Sequence, residues 1–217
     1  MELLEHTLFI NLESRRDRLE HSLNEFKKMN ITAERFNACK HNIGALGCTQ
    51  SHIKCLEIAK EREYKQIFIC EDDIEFTIPE LFKENLEKFN KNEKINWDVL
   101  IIGGNNAPPY QQLEDYCARV FYCRTTTGYI VKDTMYDILL ENFKESASQL
   151  EKDSSAKNKK VYALDMYWQQ LQYQYFWYMI TPPTVTQYAN YSDIEEKNLD
   201  YTNLMLDMDK KWYAPQI

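Results

Sequence analysis

Gln66-Ile67-Phe68-Ile69-Cys70 runs directly into Glu71-Asp72-Asp73, and this stretch decides the fold. Four apolar residues in five read as a buried strand. Three carboxylates at its end would repel one another and lose hydration wherever the turn is partly buried. A hard divalent cation such as Mn²⁺ or Mg²⁺ removes both costs, because it takes oxygen ligands and shares them with phosphate. Acidic residues at the carboxyl end of a central strand therefore suggest a metal–diphosphate site. A solvated acidic turn is the alternative that the triplet alone leaves open.

Outward from this stretch the chain alternates between periods. Strands are expected at 7–12, 32–36, 66–70, 97–102, 118–123, 126–131 and 173–180. Amphipathic helices are expected at 14–29, with Leu19, Leu23 and Phe26 on one face, and at 45–62, with Cys48, His52, Cys55, Leu56 and Ala59 along one stripe. Further helices are expected at 79–89, with Pro79 in the first turn, at 135–143 and at 163–172. The strand at 97–102 is expected to stop at Gly103-Gly104, and the polar segment 144–160 to be a mobile surface loop, either a linker or a substrate lid. This alternation predicts an α/β fold: one domain over residues 1–217 with a mostly parallel central sheet flanked by helices. In such sheets ligands gather at the carboxyl ends of the strands, so Asn11 and Glu71–Asp73 are expected to line one crevice.

Composition narrows the function classes. The 217 residues are 44% hydrophobic, enough for a sizeable core. A net charge of −8 disfavours nucleic acid as the partner, since that role calls for a basic face. No apolar run approaches the roughly 18 residues of a membrane span, and no basic-then-apolar leader opens the chain. A cytoplasmic location follows as the expectation, for the chain alone or as a domain of a longer protein. The six cysteines show no CxxC spacing and read as buried free thiols.

Three other segments bear chemistry. Asn11-Leu12-Glu13-Ser14-Arg15-Arg16-Asp17-Arg18 follows the first strand. Asn11 can hydrogen-bond a base or ribose edge. Arg15 and Arg18 share a helical face that could grip a phosphate, or simply pair with Asp17. Gly47-Cys48-Thr49-Gln50-Ser51-His52 places Ser51 and His52 where a helix stripe meets the sheet, as core groups or as donor contacts. Asp165, in Ala163-Leu164-Asp165-Met166, is either a helix-start carboxylate or a general base.

These pieces, together with Thr127-Gly128-Tyr129-Ile130-Val131, Pro182-Pro183, Gln187 and Ser192-Asp193-Ile194, stand in an order that resembles glycosyltransferase family 25. That family contains lipooligosaccharide galactosyltransferases and procollagen galactosyltransferase domains. The resemblance runs from about residue 7 to 194. It implies a GT-A-type fold, a UDP-sugar donor, Mn²⁺ or Mg²⁺, and inverting transfer of glucose or galactose to a hydroxyl on a glycan or protein. A catalytically inactive nucleotide- or glycan-binding domain of the same fold is the alternative. Under the resemblance Asn11, Arg15, Arg18, Ser51, His52 and Asp72 are donor-side, Glu71 and Asp73 hold the metal, and Asp165 is the base. Strand alternation pairs Glu71 with Asp73, on the opposite side from Asp72.

Overall fold

The structure is a computed structural model in which residues 2–194 and 196–210 are described. Its frame is an eight-stranded sheet in the order β2-β1-β3-β8-β5-β9-β7-β6. These strands are β1 (Thr7–Asn11), β2 (Glu34–Asn37), β3 (Gln66–Glu71), β5 (Val99–Asn106), β6 (Tyr110–Glu114), β7 (Cys117–Val120), β8 (Cys123–Lys132) and β9 (Trp177–Ile180). β1 is parallel to both β2 and β3, and β5 is parallel to β9, while β8 and β7 run against their neighbours. Most strands thus share one direction, in a mixed α/β architecture with helices on both faces.

The two faces follow from alternation along each strand. Leu8, Ile10, Ile67, Ile69, Tyr129 and Val131 pack under α2 (Gly44–Glu61) and α4 (Tyr136–Lys152). Phe9, Phe68, Cys70, Leu100 and Ile130 face the opposite way, toward α1 (Arg16–Met29) and α3 (Pro79–Lys91). A strand buried on both sides reads as a continuous apolar run, which is why 66–70 shows no polar alternation. On α1, Phe26 and Met29 are buried but Leu23 is half exposed; Ser22 and Glu25 are buried instead. There polar partners override the apolar stripe: Ser22 Oγ donates to Asp72 O at 3.0 Å and Glu25 accepts from Phe76 N at 2.9 Å.

Several boundaries differ from the sequence reading. β5 continues through Gly103-Gly104 to Asn106, because irregular register against β8 absorbs the two glycines. Gly104 is required there, since a Cβ would lie 2.5 Å from Cys123 Sγ. The segment 144–160, expected as a mobile loop, is largely helical. α4 extends to Lys152, with Ser146 and Leu150 buried, and α5 (Ala156–Tyr162) follows. The helix expected at 163–172 is broken into α6 (Leu164–Tyr167) and α7 (Gln169–Gln174). Short elements with little apolar signal lie outside the sequence reading: β4 (Ile74–Phe76) pairing with β10 (Val185–Gln187), the β11–β12 hairpin (Asn190–Ser192, Lys197–Leu199), and α8 (Thr202–Leu206). Among the described residues no helix is long and apolar enough to cross a membrane.

Candidate active site

Chain order places the site. After β1 the chain moves out to β2 on one side, then returns through α2 to β3 on the other side of β1. The carboxyl ends of β1 and β3 therefore flank a topological switch point, where open α/β sheets form their ligand crevice. Asn11 ends β1, Glu71 ends β3, and Ile10 is the register partner of Glu71.

Asp72 and Asp73 lie in the turn after β3 rather than in the strand, so the alternation that paired Glu71 with Asp73 stops at Glu71. The structure instead gathers the two aspartates on Arg18, whose Nη1 donates to Asp72 Oδ1 at 2.9 Å and to Asp73 Oδ2 at 3.1 Å. Asp72 Oδ2 accepts from Asn11 Nδ2 at 2.7 Å, so both of its oxygens are engaged. Asp73 Oδ2 also accepts from Gln187 Nε2 at 3.4 Å. Its other oxygen, Oδ1, is buried and has no hydrogen-bond partner among the described residues. An unpartnered buried carboxylate oxygen is costly, and a cation is the partner that suits it.

The electrostatics agree. Burial, then the Glu71 charge, push the Asp73 carboxyl up to about 7, against the opposing pull of Arg18. Burial also raises Asp72, although Arg18 and Asn11 restrain it. Glu71 moves the other way: burial pushes it up, but His52, Thr126 and Arg18 together outweigh that and hold it below its ordinary value. Asp72 and Asp73 share the Arg18 guanidinium in direct contact while Glu71 lies outside it; with all three carboxylates ionised, the formal count leaves two negative charges for a divalent ion to match.

Glu71 looks toward α2 and β8. Its Oε1 accepts from Thr126 Oγ1, lies 3.4 Å from His52 Nε2 and is 3.9 Å from Cys48 Sγ. His52 is fully buried, and its Nδ1 is 3.0 Å from the Tyr129 hydroxyl. One ligand atom each from Cys48, His52 and Glu71 lies within 4.8 Å of the others, a possible metal site. Gly47 lets this face of α2 approach the preceding loop, because a Cβ there would sit 2.6 Å from Cys39 O.

The other expected residues take varied positions. Asn11 is buried, its amide donating to Asp72 and Arg15 O while its oxygen accepts from Arg35 Nε at 2.8 Å. Ser51 is buried, donating to Gly47 O at 2.7 Å and accepting from Cys39 N at 2.8 Å. Each braces protein groups beside the site. Arg15 pairs with Asp17 at 2.8 Å and Asp193 at 2.5 Å, and it shares Tyr191 O with Arg18. The β11–β12 hairpin thereby rests on both arginines. Asp165 accepts from Thr125 N at 3.0 Å, and Thr125 holds a left-handed φ of 62°. Burial raises the Asp165 carboxyl, opposed by that hydrogen bond and assisted by Glu71, whose field reaches it across the crevice.

Tyr129, Gln187 and Asp193 are legible in the sequence only as letters of motifs, without roles, and Thr126 only as the first residue of an expected strand. Arg35 carries no sequence signal at all, because its place depends on β2 lying beside β1.

Structural comparison finds distant likenesses. A glycosyltransferase involved in glycosylation of the major capsid of PBCV-1 aligns with a TM-score of 0.45 and 9% identity, covering 72% of this chain and 74% of that one. A Drosophila β-1,4-galactosyltransferase 7 mutant, in complex with manganese, UDP-Gal and xylobiose, gives 0.42 and 11%, covering 94% and 80%. A mannose-1-phosphate geranyltransferase from Thermus thermophilus gives 0.42 and 10%, covering 84% and 74%. No curated protein matches. The sequence comparison is more specific: residues 42–125, spanning the Gly47-Cys48 helix start and the acidic triplet, match the model of glycosyltransferase family 25 (LPS biosynthesis protein). The family that the motifs resemble and the family whose model matches residues 42–125 are the same.

Proposed function

We propose that the chain transfers a hexose, glucose or galactose, from a UDP-sugar to a hydroxyl on a glycan or protein acceptor, by metal-dependent inverting displacement. Lipooligosaccharide biosynthesis is the proposed setting, and the description of the matching family as an LPS biosynthesis protein supports it. The observation that carries this reading is the buried, unpartnered Asp73 Oδ1 at the switch point, within a cluster two charges short of neutrality. Asp73, with Glu71, would hold Mn²⁺ or Mg²⁺; such an ion, when bound, neutralises charge building on a leaving diphosphate.

The chain's own groups supply the rest. Asn11 and Arg18 hold Asp72 and Asp73 in place at the crevice mouth. Arg15 and Arg18 stand beside it as fixed positive charge for a diphosphate, and an anionic donor would compete there with Asp193 and Tyr191 O. Asp165 takes the proton from the acceptor hydroxyl. Burial raises its carboxyl, which makes it a stronger base than an exposed aspartate.

The test is a donor-hydrolysis screen of UDP-glucose, UDP-galactose and their N-acetyl forms, each with Mn²⁺ and with EDTA. Hydrolysis of one donor in Mn²⁺ and not in EDTA is expected. If no donor is hydrolysed and none raises the melting temperature in Mn²⁺, the reading is wrong and a binding domain without turnover replaces it.

A further inference from the structure

The Cys48–His52–Glu71 trio has a chemistry unlike the carboxylates beside it. Cys48 and His52 are four residues apart on α2, so they project from one face, and Glu71 meets them from the end of β3. A four-coordinate zinc ion has bonds of about 2.0–2.1 Å to nitrogen or oxygen and about 2.3 Å to sulfur. Tetrahedral angles then set ligand edges of roughly 3.4 Å between nitrogen and oxygen and roughly 3.6 Å between sulfur and oxygen. The observed edges are 3.4 Å from His52 Nε2 to Glu71 Oε1 and 3.9 Å from Cys48 Sγ to Glu71 Oε1. Both of these edges lie within a few tenths of an ångström of the tetrahedral values, and all three ligand atoms lie within 4.8 Å of one another.

The surroundings fit as well. Tyr129 engages His52 Nδ1 at 3.0 Å, turning Nε2 toward Glu71, and Thr126 Oγ1 donates to the same Glu71 Oε1. Such outer partners orient metal ligands. The Glu71 side chain is 20% exposed, so an ion held here keeps an open position toward the crevice. A thiol, an imidazole and a carboxylate suit a borderline ion, whereas all-oxygen sets suit Mn²⁺ and Mg²⁺.

We propose that Cys48, His52 and Glu71 form a second cation site, for a thiol-accepting divalent ion of the Zn²⁺ class, distinct from the hard-cation position at Asp73. The thiol proton passes to solvent as the metal–sulfur bond forms. Glu71 stands between the two positions and is common to both.

Co²⁺ titration of the full chain, in excess Mg²⁺ to fill the hard position without an optical signal, tests this site. One equivalent should bring in a near-ultraviolet thiolate-to-cobalt band and the intense visible absorption of four-coordinate cobalt. Cys48→Ser should abolish the charge-transfer band, Glu71→Gln should weaken Co²⁺ binding at least about tenfold, and Asp73→Asn should keep the band. Cobalt binding without the band, or a band that survives Cys48→Ser, overturns the proposal. If Cys48→Ser does not fold, zinc-edge X-ray absorption on the unsubstituted chain decides. One sulfur at about 2.3 Å is expected, and a shell of nitrogen and oxygen alone refutes the site. Neither measurement uses a sugar donor, so its failure is separable from failure of the transferase reading.

Discussion

Asp73→Asn removes the carboxylate that burial and Glu71 hold out of its charged form, and the substitution should stabilise the metal-free protein while ending its response to Mn²⁺. The folded-state carboxyl titrates higher than the unfolded one, rising from 3.8 to about 7. Its contribution therefore favours the fold fully below about pH 4 and is lost as pH climbs through about 7. At pH 8 that loss is on the order of 4 kcal/mol. Asparagine keeps the shape of the neutral carboxyl, and the pull of Arg18 on the charged form is already contained in that titration. The gain at pH 8 is therefore up to about 4 kcal/mol, or roughly 8–16 °C in melting temperature for a chain of this size. Differential scanning calorimetry in EDTA from pH 4 to 8 reads it. The gap between variant and parent should be small at pH 4, widen to about pH 7 and then level off. Mn²⁺ should raise the parent and leave the variant where it was. A variant that melts below the parent in EDTA at pH 8, or a gap that does not change with pH, refutes the electrostatic reasoning.

Other outcomes follow from single contacts. Asp165→Asn should leave UDP affinity intact and lower transfer by about 10²–10⁴-fold; isothermal titration with UDP separates this from a donor-side role, which would weaken binding. Tyr129→Phe leaves His52 Nδ1 without its 3.0 Å partner in a fully buried setting and should cost about 1–3 kcal/mol in urea denaturation. Gly47→Ala drives a Cβ to 2.6 Å from the Cys39 carbonyl, backbone against backbone, and should cost about 1–3 kcal/mol by the same measurement.

The chemistry is more legible in the sequence than its wiring. The apolar run 66–70 and the triplet after it announce a buried strand delivering carboxylates, and β3 ends on Glu71 as that reading requires. Cys48, His52, Cys55, Leu56 and Ala59 form the α2 stripe as spaced, because a helix between sheet and solvent keeps its period. What the sequence withholds is partner choice. Whether Asn11 meets a ligand or Asp72, and whether Arg18 meets phosphate or two aspartates, depends on contacts 54 to 61 residues apart in the chain. The polar segment 144–160 misleads because its composition is that of disordered chain. Its helix is held by a few buried positions, among them Ser146, whose hydroxyl donates to Tyr162 O at 2.7 Å. A tight turn defeats alternation at Asp72 and Asp73, where strand geometry has already ended at Glu71.

The most direct measurement is a crystal structure of the chain with UDP and Mn²⁺, the ion located by its anomalous signal. The account expects manganese within about 2.0–2.3 Å of an Asp73 carboxylate oxygen, bridging to the diphosphate at the ends of β1 and β3. UDP bound elsewhere, or manganese that never touches Asp73, would contradict it.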